Sequence, residues 1–237
     1  MKVKNKKIYY KFFKENLSNE FNPKYDSREA RNKFMAEILN KNNVSKMKNI
    51  LNLGSGGERF LSKNLKDKNF KIVDVDFEGD VDIDLNLDNI NSLPFNDSKF
   101  DIAICLDVLE HLENFHLINK ELIRVSQISY ISLPISSNEI IHELLLDKSK
   151  YYMNKDSGFN SKFYGLPLEK PNDRHRWYIY FLDVVRFYKY FSEENNLSVT
   201  FYLPQSLKRS FIKFLLPRNI YYNFLVPYIW IKIEKQI

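Results

Sequence analysis

Cysteine is nearly absent from this chain: Cys105 is the one such residue among 237. A lone thiol forms no intrachain disulfide, and without a cysteine cluster no zinc framework is expected; no metal enters the reading. Long apolar runs are missing too. The nearest candidate for a membrane span, Ile220 to Ile231, falls short of the roughly 20 residues a bilayer requires and is broken by Asn223 and Pro227. The opening Met1-Lys2-Val3-Lys4 leads into Lys, Asn and Tyr, not an apolar stretch, so no secretory signal and a cytoplasmic location are expected. No aromatic-basic nucleic-acid module is recognisable, and nucleic acid is not the expected partner despite a net charge of +6. That charge is uneven. Lysines crowd the N-terminus and basic residues recur from Arg174 to Arg218, which either attracts a phosphorylated ligand, anionic lipid or nucleic acid, or simply solvates the chain.

What is present has the pattern of one α/β domain. Hydrophobic content of 44% and charged content of 28% are ordinary for a globular chain of this length. Residues 1–48 read as an N-terminal arm followed by a helix, with Asp26 or Ser27 as cap and Ala30, Phe34, Ile38 and Leu39 on one face. Residues 49–135 alternate strands (49–53, 70–76, 81–85, 100–105, 130–133) with helices, the last helix carrying Leu117, Leu122 and Val125. Residues 136–180 are of mixed polarity and read as a lid or substrate segment. Residues 181–237 supply helices near 181–191 and 207–215 and strands at 197–203 and 228–233. Such alternation predicts a doubly wound, mainly parallel seven-stranded sheet with helices on both faces.

In such a sheet, ligands bind beyond the carboxyl ends of the strands, where strand order reverses. Gly54, Ser55, Gly56 and Gly57 follow the first strand and form a tight turn. Asp74 closes the second strand about 20 residues after Gly54, the distance at which an acid accepts ribose hydroxyls; Asp76 is the alternative on the same strand end. A dinucleotide site wants a third glycine to seat a pyrophosphate on a helix. Phe60 stands near that place, which disfavours NAD.

The stretch Ile50-Leu51-Asn52-Leu53-Gly54-Ser55-Gly56-Gly57 resembles the first motif of the class I, S-adenosylmethionine-dependent methyltransferases. Leu93 to Asp101, followed by Asp107-Val108-Leu109-Glu110-His111-Leu112, is similar to the family's passage through its fourth strand. The resemblance implies an enzyme using S-adenosylmethionine. Its glycine turn (Gly54, Ser55, Gly56) would hold the methionine part, the acid of the second strand the ribose, and Asp84-Leu85 the adenine, with Leu106 and Asp107 lining the cofactor. The family usually has Asp or Glu where Asn52 stands, so the charge that helps to hold the cofactor's ammonium group is missing there.

Methyl transfer needs alignment first, and a base only where the acceptor must lose a proton. His111 follows Glu110 at the mouth of the sheet, placed either as that base or as a loop-ordering residue. Asp173, Arg174, His175 and Arg176 gather a carboxylate, an imidazole and two guanidiniums beside Trp177. The arginine forks suit phosphate or carboxylate, and Asp173 would orient His175 as a base; a salt-bridged loop is the plain alternative. The segment resembles one in methyltransferases encoded with bacterial surface-polysaccharide genes, which implies a small or carbohydrate-linked, anionic acceptor in capsule or lipopolysaccharide biosynthesis. A non-catalytic cofactor-binding protein of the same fold and an RNA methyltransferase are the competing readings. The aromatic residues Tyr221, Tyr222, Phe224, Tyr228 and Trp230 are candidates for a sugar-stacking or lipid-facing surface, for core, or for a dimer contact.

Overall fold

The computed structural model describes residues 6–23, 27–41, 48–65, 70–146, 175–205 and 212–236. Seven strands form one sheet: β1 (Asn49–Leu53), β2 (Lys71–Asp76), β3 (Ile83–Asp84), β4 (Phe100–Leu106), β5 (Ser126–Pro134), β6 (Leu197–Tyr202) and β7 (Tyr228–Lys235). Their spatial order is β3-β2-β1-β4-β5-β7-β6. The first five run parallel, and β7 is antiparallel to both of its neighbours. From β1 the chain steps outward to β2 and β3, then crosses back to β4. The reversal therefore lies between β1 and β4, the place where such a sheet opens a ligand crevice.

Helices α1 (Lys6–Glu15), α4 (Phe115–Val125) and α6 (Phe181–Asn195) cover one face, and α2 (Arg28–Lys41) and α3 (Phe60–Asn64) the other. The strand period of two separates the cores. Leu51, Leu53, Ala103, Cys105, Ile131 and Leu133 point into one, and Ile50, Ile102, Ile104, Leu106 and Tyr130 into the other. Burial on both faces is why β4 reads as an apolar run from Ile102 to Leu106.

Two elements differ from the sequence reading. β5 begins at Ser126, not Tyr130, because α4 ends directly into it. Buried Ser126, Ser129 and Ser132 weaken its apolar pattern, yet the Ser126 hydroxyl donates to the Leu122 carbonyl at 2.7 Å and lies 3.0 Å from that of Ser129. Ser136–Leu146 is a helix, α5, where a lid segment was expected to begin. The C-terminal aromatics are mostly core: Tyr221, Tyr222, Tyr228 and Trp230 are all buried, and Tyr222 stacks on Phe181 at 4.3 Å.

Candidate active site

The turn after β1 is built by conformational need. Gly54 has φ +70°, and a Cβ there would lie 2.2 Å from a Val108 methyl, so only glycine fits. Its amide donates to the Val75 carbonyl at 2.8 Å, which folds the turn over the end of β2. Gly57 and Gly79 bring the turns after β1 and β2 into backbone contact, and a Cβ on Gly57 would sit 2.9 Å from the Gly79 Cα.

Acids then collect along this carboxyl edge. Asp76 accepts from the Gly56 amide at 2.7 Å and from the Phe77 amide at 2.8 Å, so its carboxylate is fixed beside the turn. Asp74 is fully buried beneath it and accepts from the Asn52 amide at 2.7 Å. Burial pushes its carboxyl up, while Asn52 and Arg59 pull it down. The charge absent at position 52 is thus present one strand away, in direct hydrogen bond with Asn52. Arg59 serves three acids, reaching Asp74 at 3.5 Å, Asp80 at 2.9 Å and Asp82 at 3.1 Å. Asp84 is exposed and Leu85 half-buried at the end of β3.

Beyond β4, Leu106 is buried and Asp107 takes φ +53°. The Asp107 carboxylate accepts from the Ser132 hydroxyl at 2.6 Å and pairs with Arg31 of α2. Arg28, one turn earlier on α2, reaches the Gly56 carbonyl at 3.4 Å. Helix α2 therefore lays two guanidiniums over the glycine turn and the switch point, which no motif in the sequence announced.

A second cluster follows without a break. Glu110 is buried, His111 half-buried and His175 buried, with the imidazole centroids 4.7 Å apart and edge to face. Four hydrogen bonds bind the two segments: Arg176 and Trp177 amides to the Glu110 carbonyl (2.7 and 3.3 Å), Arg176 Nε to the His111 carbonyl (2.8 Å) and Trp177 Nε1 to the Leu112 carbonyl (2.6 Å). Arg176 also pairs with Glu113 at 2.7 Å and lies 3.7 Å from Asp88. Its guanidinium braces the two segments, as in the salt-bridged alternative offered for this stretch. Asp173 and Arg174 lie outside the described residues. His116 is exposed at the mouth of a groove of about 500 Å³ lined by Phe115, Trp177, Tyr178, Tyr180 and Phe187.

The Leu93–Asp101 stretch has a different duty. Arg124 of α4 donates to the Leu93 and Phe95 carbonyls at 3.0 and 2.8 Å, to Asp97 at 2.7 Å and, through two nitrogens, to Glu121. Glu121 in turn accepts from the Leu93 amide at 2.6 Å. This motif holds the lead-in to β4.

Residues 51–128 match the methyltransferase domain family. The match runs from β1 to the start of β5, the part of the chain that carries the glycine turn and the acids of the carboxyl edge. No curated protein matches the sequence. Among solved structures, the methyltransferase domain of bacterial CtHen1 is similar at 16% identity and TM-score 0.54, over 85% of this chain and 97% of that one. The plantazolicin methyltransferase BpumL in complex with SAH is similar at 11% identity and TM-score 0.51, over 99% of this chain and 91% of that one. An S-adenosylmethionine-dependent methyltransferase from Archaeoglobus fulgidus is similar at 14% identity and TM-score 0.50, over 88% of this chain and 95% of that one. At these identities the likeness is one of fold: the seven-stranded sheet and its order are those of a Rossmann-like methyltransferase.

A methyltransferase domain of this fold takes its methyl group from S-adenosylmethionine, and the carboxyl edge suits that molecule. The Ser55 hydroxyl is buried in the glycine turn without a hydrogen-bond partner, as a group awaiting a ligand would be. The acids from Asp74 to Asp84 outnumber Arg59, giving a basic chain one acidic edge that suits a sulfonium cation. Among the described residues no helix is long and apolar enough to cross a membrane.

Proposed function

We propose that the chain transfers the methyl group of S-adenosylmethionine to a hydroxyl of a small, carbohydrate-linked acceptor, and that His111 and His175 activate that hydroxyl. The observation that carries this reading is continuity: His111 ends the short turn that follows Leu106 and Asp107, and His175 packs against it edge to face at 4.7 Å between ring centroids. Asp76 would accept the ribose hydroxyls, Asp84 and Leu85 would border the adenine, and Ser55 with Gly54 and Gly56 would hold the methionine part. Arg28 and Arg31 stand where a carboxylate of that part would be met, and Asp74 beside Asn52 answers its ammonium. The cofactor supplies an electrophilic methyl carbon. The acceptor oxygen attacks it as its proton leaves, so alignment and activation of the hydroxyl are the two tasks left to the chain. The aromatic groove beside Trp177 supports a sugar-linked acceptor, since its volume and rings suit a small ligand with apolar faces.

The test has two parts. Calorimetric titration with S-adenosylhomocysteine should show binding by the wild type, and a wild type that binds neither this nor S-adenosylmethionine would refute the reading. Turnover against nucleotide-linked sugars should then fall by roughly 10²–10⁴-fold in His111→Ala, with product affinity for S-adenosylhomocysteine unchanged.

A further inference from the structure

We infer that Glu110, His111 and His175 form a site for a divalent transition cation, of the kind Zn²⁺ or Mn²⁺ fills, at which the acceptor hydroxyl is bound and acidified. The second half of this statement rests on the proposed methyltransferase reading; the first does not. One ligand atom from each residue lies within 4.8 Å of the other two. Atoms bound to a common ion at about 2.1 Å are at most about 4.2 Å apart, so small side-chain shifts close the set. His111 Nε2 and Glu110 Oε1 are already 3.7 Å apart.

Four features make this a built site and not a chance meeting of polar groups. The ligands come from two segments far apart in sequence, and the four hydrogen bonds between residues 110–112 and 175–177 clamp those segments in register. Glu110 and His175 are buried, while the His111 side chain keeps 24% of its surface, so the cluster has a closed side and an open one. Glu139 of α5 places a carboxylate 3.5 Å from His175 Nδ1. A carboxylate behind an imidazole fixes its tautomer and leaves Nε2 to bind metal, the usual support of a ligating histidine. Finally, the cluster adjoins the switch point, where the reacting oxygen must stand.

The donor set selects the ion. Two imidazoles and one carboxylate suit Zn²⁺, Mn²⁺ or Fe²⁺ better than Mg²⁺ or Ca²⁺, which prefer oxygen alone. Three protein ligands leave open positions, which is the arrangement of catalytic and not structural sites. A hydroxyl bound there becomes a stronger acid. The histidine pair then activates the acceptor by holding the cation, and the proton leaves to water through the open side.

The test is calorimetric titration of the chelator-treated, dialysed full chain with Zn²⁺ and with Mn²⁺, alongside Mg²⁺. One equivalent of Zn²⁺ or Mn²⁺ should bind, more tightly than Mg²⁺. Glu110→Gln, His111→Asn and His175→Asn should each weaken binding at least 10-fold, and Glu139→Gln about 10-fold. A melting curve and an S-adenosylhomocysteine titration on the same samples show that each variant is folded. If one of the buried ligands is needed for folding, half-exposed His111→Asn and the supporting Glu139→Gln decide the matter. A wild type that binds neither Zn²⁺ nor Mn²⁺, or whose affinity is unmoved by the folded variants, would overturn the site. That result together with intact S-adenosylhomocysteine binding would leave the methyltransferase reading standing; metal uptake without S-adenosylhomocysteine binding would do the reverse.

Discussion

Asp74 at the carboxyl edge and Glu121 on α4 are both carboxylates held out of solvent, but their surroundings treat them in opposite ways. Burial pushes Asp74 up, and its closest partner is the neutral amide of Asn52. Its cation, Arg59, is 3.5 Å away and shared with Asp80 and Asp82. Glu121 is pulled down, first by hydrogen bonds from Arg124 at 2.8 and 2.7 Å and then by the Leu93 amide. Glu121 thus has a guanidinium on both of its oxygens, which matches its charge on the spot. The edge keeps excess negative charge, which a positively charged ligand would complete. Charge left incompletely matched marks a place for a ligand, whereas charge matched on the spot marks structure.

The sharpest break in that comparison lies at Asp76. On the proposed reading, its replacement by Ala removes two hydrogen bonds from cofactor hydroxyls to a charged group, each worth about 1.5–3 kcal/mol. S-adenosylhomocysteine affinity should fall about 100-fold, while the melting temperature moves little. The Arg124→Ala variant should show the converse. It leaves Glu121 buried without its cation, and since the Arg124 side chain is 29% exposed the cost is set below that of a fully buried pair, at about 2–3 kcal/mol. Melting should drop by roughly 5–10 °C for a chain of this size, with cofactor affinity unchanged. If Arg124→Ala weakened S-adenosylhomocysteine binding as much as Asp76→Ala does, the two regions would not be separable and the comparison would fail.

The same contrast explains what the sequence disclosed. The sheet, its parallel character and the glycine turn were legible because each rests on local signals: apolar runs, glycines with positive φ and acids at strand ends. The switch-point neighbours were not. Arg28 and Arg31 lie on a helix whose outward polar face looks like any other, and their contacts with Gly56 and Asp107 depend on how α2 packs. His111 and His175 were each visible as candidates, but nothing in their spacing announced that Glu110 would join them. Arg176 was open between two readings in sequence, an anion site and a salt-bridged loop, and its bonds to Glu113 and the His111 carbonyl depend on the fold. Leu93 to Asp101 was visible as a family motif but not what it does; Arg124 shows it to be a brace.

The smallest effect expected is in the pH dependence of stability, and here the two carboxylates should give opposite slopes. For Asp74 the folded pKa is raised, so as pH climbs above the usual carboxylate value near 4 the unfolded chain releases its proton first. Stability is then lost until pH passes the folded value. For Glu121 the folded pKa is lowered, so its contribution is complete above the unfolded value and is lost as pH falls through the folded one. Urea unfolding from pH 3 to pH 7 should therefore show Asp74→Asn gaining on the wild type as pH rises, a small gain because Asn52 and Arg59 offset part of the burial cost. Glu121→Gln should lose ground over the same range. Parallel curves for the two variants would mean that Arg59 satisfies Asp74 as fully as Arg124 satisfies Glu121. The carboxyl edge would then carry no incompletely matched charge for a cationic cofactor to complete, and its affinity would have to come from the glycine turn and Asp76 alone.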